Sequence, residues 1–183
     1  MLDLPNSDLV SLADVGITDD VDETGSTFED NARLKARHYA AASGLPTLAD
    51  DSGIEVDALG GRPGVKTRRY AGPDATDEKN NRKLLGEMAG FYGPDERTAR
   101  YQCVLVFVED GAFAETTRGV FEGRVAFAAK GKGGFGYDPI FEPLTEPPGG
   151  RTVGELTADE KNEVSHRALA AKAMRELLIA RGY

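Results

Sequence analysis

The chain has 183 residues, with 22 Lys and Arg against 31 Asp and Glu, a formal net charge of −9 and a single cysteine. This length suits one domain that buries a core without disulfides. The acidic balance argues against a general role in coating nucleic acid. The apolar runs are shorter than the roughly 18 residues that a membrane span needs, and no signal segment opens the chain. We therefore expect a cytoplasmic protein that binds neither nucleic acid nor membrane.

The first predicted element is a helix over residues 27–43, within STFEDNARLKARHYAAASG. Ser26 followed by Glu29 forms a capping-box pattern, and Gly44 stands where a C-terminal cap is expected. Residues spaced for one face of this helix are Phe28, Ala32, Lys35 and Tyr39. The spacing places Lys35 among inward-facing residues, so its stem packs and its ammonium reaches solvent, or it serves a site.

The stretch LADDSG follows a short predicted strand, LPTLAD. Asp, Ser and Gly are typical turn residues, so one interpretation is a solvated turn that ends the strand. The neighbours Asp50 and Asp51 repel each other unless water, a cation or a hydrogen-bond donor relieves them. The second interpretation is therefore a divalent-cation site at the carboxyl end of the strand.

Residues 75–91 predict a second helix, whose core-facing side chains are Leu84, Leu85, Met88 and Phe91. Three strands are predicted next, at TARYQCVLVFVED, around AETTRGVF and at EGRVAFAA. The first two are joined as a hairpin through Glu109-Asp110-Gly111. Cys103 lies in the apolar first strand, which favours a packing role over a nucleophilic one. The element order predicts a mixed α/β fold with a central antiparallel component, in a single domain.

The segment KGKGGFGYDP has three glycines in G-x-G-x-x-G spacing: Gly131, Gly133 and Gly136. A dinucleotide site needs a helix directly after them, whereas Pro139 biases Asp138 away from helix. The glycines instead give backbone freedom around Phe135 and Tyr137. Beside Asp138 these rings form either a base-stacking platform or an ordinary loop with buried aromatics.

After a capping-box pattern at Thr157 and Glu160, the chain predicts one long C-terminal helix or two broken ones. EKNEVSHR places four polar side chains together: Lys161, Ser165, His166 and Arg167. They form a charged helix start, or they supply donors for a keto oxygen, a ring nitrogen and an anionic group of one ligand. Two His and one Cys argue against a zinc site, whereas carboxylates suit Mg²⁺ or Mn²⁺.

Taken in order, five fragments resemble the inosine and xanthosine triphosphate pyrophosphatases: DETGSTFEDNARLKA, LADDSG, ALGGRPGV followed by RYAG, GGFGYDPIF and EKNEVSHR. The resemblance covers residues 11–180. It implies an ITPase-like fold, with an elongated, two-lobed mixed β-sheet flanked by helices, usually as a homodimer. It also implies hydrolysis of ITP, dITP and XTP to the monophosphate and pyrophosphate with Mg²⁺, or with Mn²⁺.

The resemblance further implies a role for each matching residue. Glu23 would be a metal ligand, Asp51 would be a metal ligand or the general base that prepares the attacking water, with Asp50 beside it, and Lys35 would contact phosphate. The implied substrate-binding residues are Ser52, Phe135, Gly136, Tyr137, Asp138, Lys161, Ser165, His166 and Arg167. Phe135 would stack on the purine. His166 and Arg167 would donate to the 6-oxo group, a position where adenine offers a donor instead.

The chain departs from this family at its start. Family members open with a strand and a Thr/Ser-x-Asn-x-x-Lys turn that grips the triphosphate, whereas MLDLPNSDLV contains no such turn. We expect part of the usual N-terminus to be missing, which would leave an open strand edge and an exposed apolar groove. The alternative to an active enzyme is an inactive nucleotide-binding or dimerising remnant.

Overall fold

The computed structural model describes residues 2–183. Its helices and strands, in chain order, are α1 (Phe28–Ser43), β1 (Thr47–Val56), α2 (Asp77–Glu87), β2 (Thr98–Glu109), β3 (Ala112–Val125), β4 (Phe141–Pro143), α3 (Ala158–Val164) and α4 (His166–Ala180). The strands of this part of the chain form a four-stranded sheet in the order β1-β2-β3-β4, with β4 antiparallel to β3. The predicted α/β class is confirmed. Within residues 2–183 no helix is long and apolar enough to cross a membrane.

Strand β1 continues through the LADDSG stretch, so the prediction of a turn there was wrong. Ile54 and Val56 at the far end of the strand are fully buried. The physical reason is tertiary: β1 is hydrogen-bonded to β2 in the sheet, and this pairing outweighs the local turn preference of Asp, Ser and Gly. Asp50 and Asp51 therefore lie in the middle of a strand and not at its carboxyl end.

Strand β3 is a single long element, although the sequence predicted two strands in its place. Gly123 lies inside β3 opposite Pro143 of β4. A side chain at Gly123 would overlap the ring of Phe141, so this glycine permits the close approach of β4 and does not end the strand. The predicted hairpin is confirmed, because Asp110 and Gly111 both have positive φ, +50° and +75°, between β2 and β3.

The helix ends follow the predicted capping chemistry, with one shift. The N-terminal cap of α1 is Thr27, which forms a capping box with Asp30, one residue later than the predicted Ser26 and Glu29. Gly44 is the C-terminal cap at φ +68°, as predicted. The second helix is shorter than predicted at both ends. Thr157 and Glu160 form the predicted capping box, and the C-terminal segment is two helices that break at Ser165.

The chain divides into two compact units. Unit 1 comprises the chain up to Asp51 together with Cys103–Gly119 and Arg167–Tyr183. Its core includes Phe107, Met174 and Leu178. Unit 1 also has a groove of about 560 Å³ whose apolar lining includes Leu4, Leu9, Val10, Leu45 and Leu48. Strand β1 stands at one end of the order of the four strands.

Unit 2 comprises Ser52–Gln102 and Val120–His166. The largest fully buried side chains of its core include Ile54, Leu84, Met88, Ile140 and Phe141. Leu85 and Phe91 pack against this core in partly buried positions, so all four apolar residues predicted for the core face of α2 contribute to it.

Candidate active site

In unit 1, helix α1 brings a lysine against two carboxylates. The Nζ of Lys35 donates to Glu23 Oε1 at 2.9 Å and to Asp51 Oδ1 at 3.0 Å. One turn earlier on the same face, Asn31 donates from Nδ2 to Asp51 Oδ2 at 3.2 Å. The Oδ1 of Asn31 accepts the backbone N–H of Gly25 at 2.7 Å. We call Glu23, Asn31, Lys35 and Asp51 the carboxylate cluster; it unites both predicted metal ligands with the predicted phosphate-contacting lysine.

Sequence reasoning missed Asn31. Its side chain is fully buried, and it lies on the same helix face as Phe28 and Lys35. A buried amide at this position can donate to a carboxylate and accept a backbone N–H at the same time. The available signal was the helical spacing itself, which places residue 31 one turn before the lysine on the inward face.

Burial and hydrogen bonding shift the pKa values of Asp51 and Lys35 in opposite directions. Burial raises the pKa of Asp51, and the hydrogen bonds from Lys35 and Asn31 offset only part of that rise. Burial also lowers the pKa of Lys35, but its hydrogen bonds to Glu23 and Asp51 outweigh that effect, so the pKa of the lysine is raised. The two carboxylates of Glu23 and Asp51 thus share the ammonium group of Lys35.

The donor set of the cluster fits a hard cation that arrives with a phosphate. Mg²⁺ is commonly held by one or two carboxylates, with substrate phosphates and water completing its shell. Glu23 and Asp51 are such a pair, and both reach the same ammonium group. Within residues 2–183 no group of three or more His, Cys, Asp or Glu is arranged to hold a metal by itself. A cation at this cluster would therefore take further oxygen ligands from substrate or water.

Asp50 contacts a different cation from its neighbour Asp51. The Nε of Arg167 donates to Asp50 Oδ2 at 3.2 Å, and the Cys103 thiol lies 3.8 Å from the same oxygen. Successive side chains of a strand point to opposite faces, so the adjacent carboxylates are separated and each meets its own positive group. Burial raises the pKa of Cys103 to about 12, which keeps the thiol protonated and agrees with a packing role.

In unit 2, the glycine-rich segment exposes one aromatic ring and buries the other. Phe135 is 59% exposed, whereas Tyr137 is only 3% exposed. The hydroxyl of Tyr137 donates to the Thr67 carbonyl at 2.8 Å, which fixes the ring in the core. Of the two aromatics in the predicted platform, Phe135 is thus the one with an accessible face.

Two residues of helix α2 hold this segment from outside it. The backbone N–H of Gly136 donates to Asp77 Oδ2 at 2.7 Å, and Asn81 Nδ2 donates to the Gly136 carbonyl at 3.0 Å. Both groups of one residue are therefore hydrogen-bonded to one helix, which orients the adjacent Phe135. Sequence reasoning missed Asp77 and Asn81, because only the folded chain brings α2 to the loop.

The carboxylate of Asp138 is buried beneath the loop, with 3% of the residue exposed. Its Oδ2 accepts the Phe135 backbone N–H at 2.8 Å and also the Lys161 ammonium. The same ammonium lies over the Phe135 ring, 4.2 Å from its centroid. Lys161 thus anchors the loop both through charge and through a cation–π contact.

Of three further predicted substrate-binding residues, one lies inside a strand and two lie where one helix ends and the next begins. Ser52 follows Asp51 in β1 and is half-buried. Ser165 and His166 are buried where α3 gives way to α4, and the Ser165 N–H donates to the Lys161 carbonyl at 2.9 Å.

These features describe a class of protein: an α/β protein with a pair of carboxylates that can hold a cation and, in its second unit, an exposed aromatic ring on a glycine-rich loop. Carboxylates that bind a cation and an aromatic ring that stacks on a base are typical of proteins that act on nucleotides.

Comparison with known proteins identifies the family. The Ham1 family matches residues 1–177. A dITP/XTP pyrophosphatase of Bacillus subtilis (strain 168) is 46% identical over 173 residues, covering 94% of this chain and 85% of that protein. One of Escherichia coli (strain K12) is 46% identical, covering 93% and 85%. The chain belongs to the Ham1 family, and the resemblance read from its five fragments is confirmed.

Solved structures agree with this assignment. The Staphylococcus aureus Ham1 protein superposes with a TM-score of 0.81 at 38% identity, covering 88% of this chain and 81% of that one. A HAM1 protein from Coxiella burnetii gives a TM-score of 0.80 at 41% identity, covering 92% and 89%. The predicted ITPase-like fold class is thereby confirmed.

Proposed function

We propose that this chain hydrolyses deaminated purine nucleoside triphosphates, namely ITP, dITP and XTP, to the monophosphate and pyrophosphate. The observation that carries the proposal is the pair of carboxylates, Glu23 and Asp51, that share the ammonium of Lys35. The relatives at 46% identity bear the name dITP/XTP pyrophosphatase, which supports the same substrates here.

In the proposed reaction, water attacks the α-phosphorus, pyrophosphate leaves with the electrons of the broken P–O bond, and Asp51 accepts the proton of the water. Burial supports this role, because it raises the pKa of Asp51 and makes the carboxylate a stronger base. Asn31 keeps that carboxylate oriented. Mg²⁺, or Mn²⁺, held by Glu23 and Asp51 would neutralise phosphate charge when bound. The ammonium of Lys35 is placed to stabilise phosphate oxygens as well.

The groups proposed for the base are the ring of Phe135 and the donors of the segment from Lys161 to Arg167. An exposed ring flanked by glycines supports stacking of a purine on Phe135. His166 and Arg167 are proposed to donate to the 6-oxo group, with Ser165 beside them. With ATP a donor would face a donor, which costs roughly 1–3 kcal/mol for each buried group left unsatisfied.

Pyrophosphate release tests this function directly. The purified chain is assayed with ITP, dITP, XTP and ATP, each with Mg²⁺, with Mn²⁺ and with chelator. We expect release from the three deaminated nucleotides, little from ATP and none with chelator. Equal turnover of ATP and ITP would contradict the proposed selectivity. No release by a chain that is folded by circular dichroism would favour the inactive remnant.

We also propose a homodimer that acts in the cytoplasm, where the nucleotide pool is found. The family resemblance is the ground for the dimer, and exposed apolar side chains such as Phe127 and Leu144, 60% and 53% exposed, are available for association. Light scattering during gel filtration gives the mass directly. Twice the mass of the 19.6 kDa chain supports the dimer, and a single-chain mass across micromolar concentrations refutes it.

A further inference from the structure

A buried tyrosine on β2 contacts one of the groups proposed to recognise the base. Tyr101 is buried, and its ring lies parallel to the imidazole of His166, with 4.8 Å between centroids and 8° between planes. Phe141 packs against the same tyrosine ring at 4.6 Å. The imidazole of His166 is therefore held against a ring that is itself fixed in the core of unit 2.

The hydroxyl of Tyr101 reaches the loop that carries Phe135. It donates to Asp138 Oδ1 at 3.4 Å, while Oδ2 of the same carboxylate accepts the Phe135 N–H and the Lys161 ammonium. Three donors from three segments thus meet on one buried carboxylate. Asp138 links the stacking loop to the helix that carries Lys161, and Tyr101 extends that link to His166.

The loop is shaped around this carboxylate. Gly134 has a φ of +74°, and a Cβ at that position would overlap the Asp138 carboxylate. The residue directly before it is held as well, because the Gly133 N–H donates to the Gly154 carbonyl at 2.9 Å. The close approach of backbone to carboxylate means that the Phe135 N–H has one well-defined acceptor.

We propose that Tyr101 is a positioning residue for purine selectivity, which orients His166 by ring stacking and Phe135 through Asp138. The proposal rests on the proposed function. It assigns Tyr101 no contact with the nucleotide. It holds the imidazole of His166 and the ring of Phe135 at a fixed distance and orientation. A 6-oxo purine can then stack on Phe135 and accept a hydrogen bond from His166 at the same time.

Two substitutions separate the parts of this role. Tyr101→Phe keeps the stacked ring and removes the hydroxyl, whereas Tyr101→Leu removes the stacking as well. Phe121→Leu is the matched control, because Phe121 is a buried aromatic that packs on Phe141 at 5.4 Å. The control removes a comparable amount of core packing and leaves Tyr101 in place against His166 and Asp138.

Product binding is measured by calorimetry with IMP, AMP and pyrophosphate, so the test does not need turnover. We expect Tyr101→Leu to bind IMP about fiftyfold more weakly, because it loses one aromatic pair, worth about tenfold, and one hydrogen bond, worth about fivefold. Tyr101→Phe should lose only about fivefold, the value of one hydrogen bond. Affinity for pyrophosphate should be unchanged in both variants, and Phe121→Leu should match the wild type for all three products.

Proton NMR supplies an independent readout of the stacking. The chain has two histidines, so His38→Gln assigns the imidazole signals of His166. Tyr101→Leu should lose the ring-current shift of His166, and Tyr101→Phe should keep it. If Tyr101→Leu does not fold, the loss of IMP affinity in Tyr101→Phe, with pyrophosphate affinity intact, carries the test.

The outcomes that overturn the inference are distinct from those that overturn the function. A folded Tyr101→Leu that keeps the wild-type preference for IMP over AMP overturns the inference alone. An equal loss of IMP and pyrophosphate affinity also overturns it, since that shows a general structural role. A wild-type chain with no preference for IMP over AMP overturns the proposed selectivity, and the inference with it.

Discussion

Two lysine–aspartate pairs, Lys35–Asp51 in unit 1 and Lys161–Asp138 in unit 2, have opposite balances of donors and acceptors. In the first, one ammonium serves the two carboxylates of Glu23 and Asp51. In the second, one carboxylate accepts three donors, including Tyr101 and the Phe135 backbone. The same two side-chain types thus give one ammonium shared by two carboxylates in one unit and one buried carboxylate held by three donors in the other.

The difference indicates separate roles. A pair of neighbouring carboxylates can bind a cation. A carboxylate with a raised pKa can accept a proton. A carboxylate whose acceptor positions are engaged by the protein is suited to fix geometry instead. Asp51 is therefore expected to act in the chemistry, and Asp138 in the placement of the base-binding loop.

The largest expected effect comes from Asp51→Asn. The amide keeps the shape of the side chain but cannot accept the proton of the attacking water. We expect kcat for ITP to fall by about 10²–10⁴-fold, the usual contribution of a general base. Stopped assays for pyrophosphate measure this, with Asp110→Asn, a turn carboxylate, as the control. A decrease of less than about fivefold would remove Asp51 from the chemistry.

Phe135→Ala tests the proposed stacking of the base in unit 2. Loss of base stacking costs about 1–3 kcal/mol, so KM for ITP should rise by about 5- to 150-fold while kcat changes less. Tyr92→Ala is the matched control, because Tyr92 is an even more exposed aromatic outside the loop. Equal effects of the two substitutions on KM would show that Phe135 is not a stacking ring.

The pH dependence of stability tests the raised pKa of Asp51 in the carboxylate cluster. The pKa of Asp51 is raised above its ordinary value of 3.8 by burial, so the folded state binds its proton more tightly than the unfolded state. The contribution of this group is fully present below pH 3.8 and is lost as pH rises through the folded pKa. Urea melts without metal should therefore show Asp51→Asn gaining stability relative to the wild type from pH 3.5 towards neutrality. A constant difference between the two proteins would contradict the raised pKa.

The smallest expected effect is that of Glu160→Gln on the pH dependence of stability. Its sign is opposite to that of Asp51→Asn, because the pKa of Glu160 is lowered and not raised. The backbone N–H of Thr157 is the main cause that lowers the pKa of Glu160, to about 2, with Arg151 and the Thr157 hydroxyl adding to it. Its contribution to stability is present above pH 4.5 and is lost as pH falls through about 2. The advantage of the wild type over Glu160→Gln should shrink over that range in thermal melts. An advantage that grows as the pH falls would refute this assignment.

Local chemistry explains what the sequence could predict. Thr157 with Glu160, and Gly44, mark helix ends by themselves, and the apolar run around Cys103 marks β2. The inward lysine of α1 follows from helical spacing alone. Its proposed role needed the family resemblance, because spacing does not distinguish a packed lysine from one in a site.

Contacts between distant segments explain the rest. The Asn31–Asp51 bond joins residues 20 apart, and the Tyr101–Asp138 bond joins residues 37 apart. Neither pair has a local signal. The prediction of a turn at LADDSG was wrong for the same reason. Its composition favours a turn, but its strand conformation depends on pairing with β2.

Steady-state kinetics of Asp51→Asn and Asp138→Asn with ITP, measured side by side, test the contrast between the two aspartates most directly. The account predicts that Asp51→Asn lowers kcat with little change in KM, and that Asp138→Asn raises KM with a smaller change in kcat, because the loop loses its buried anion. The same pattern of kcat and KM in both variants would contradict it.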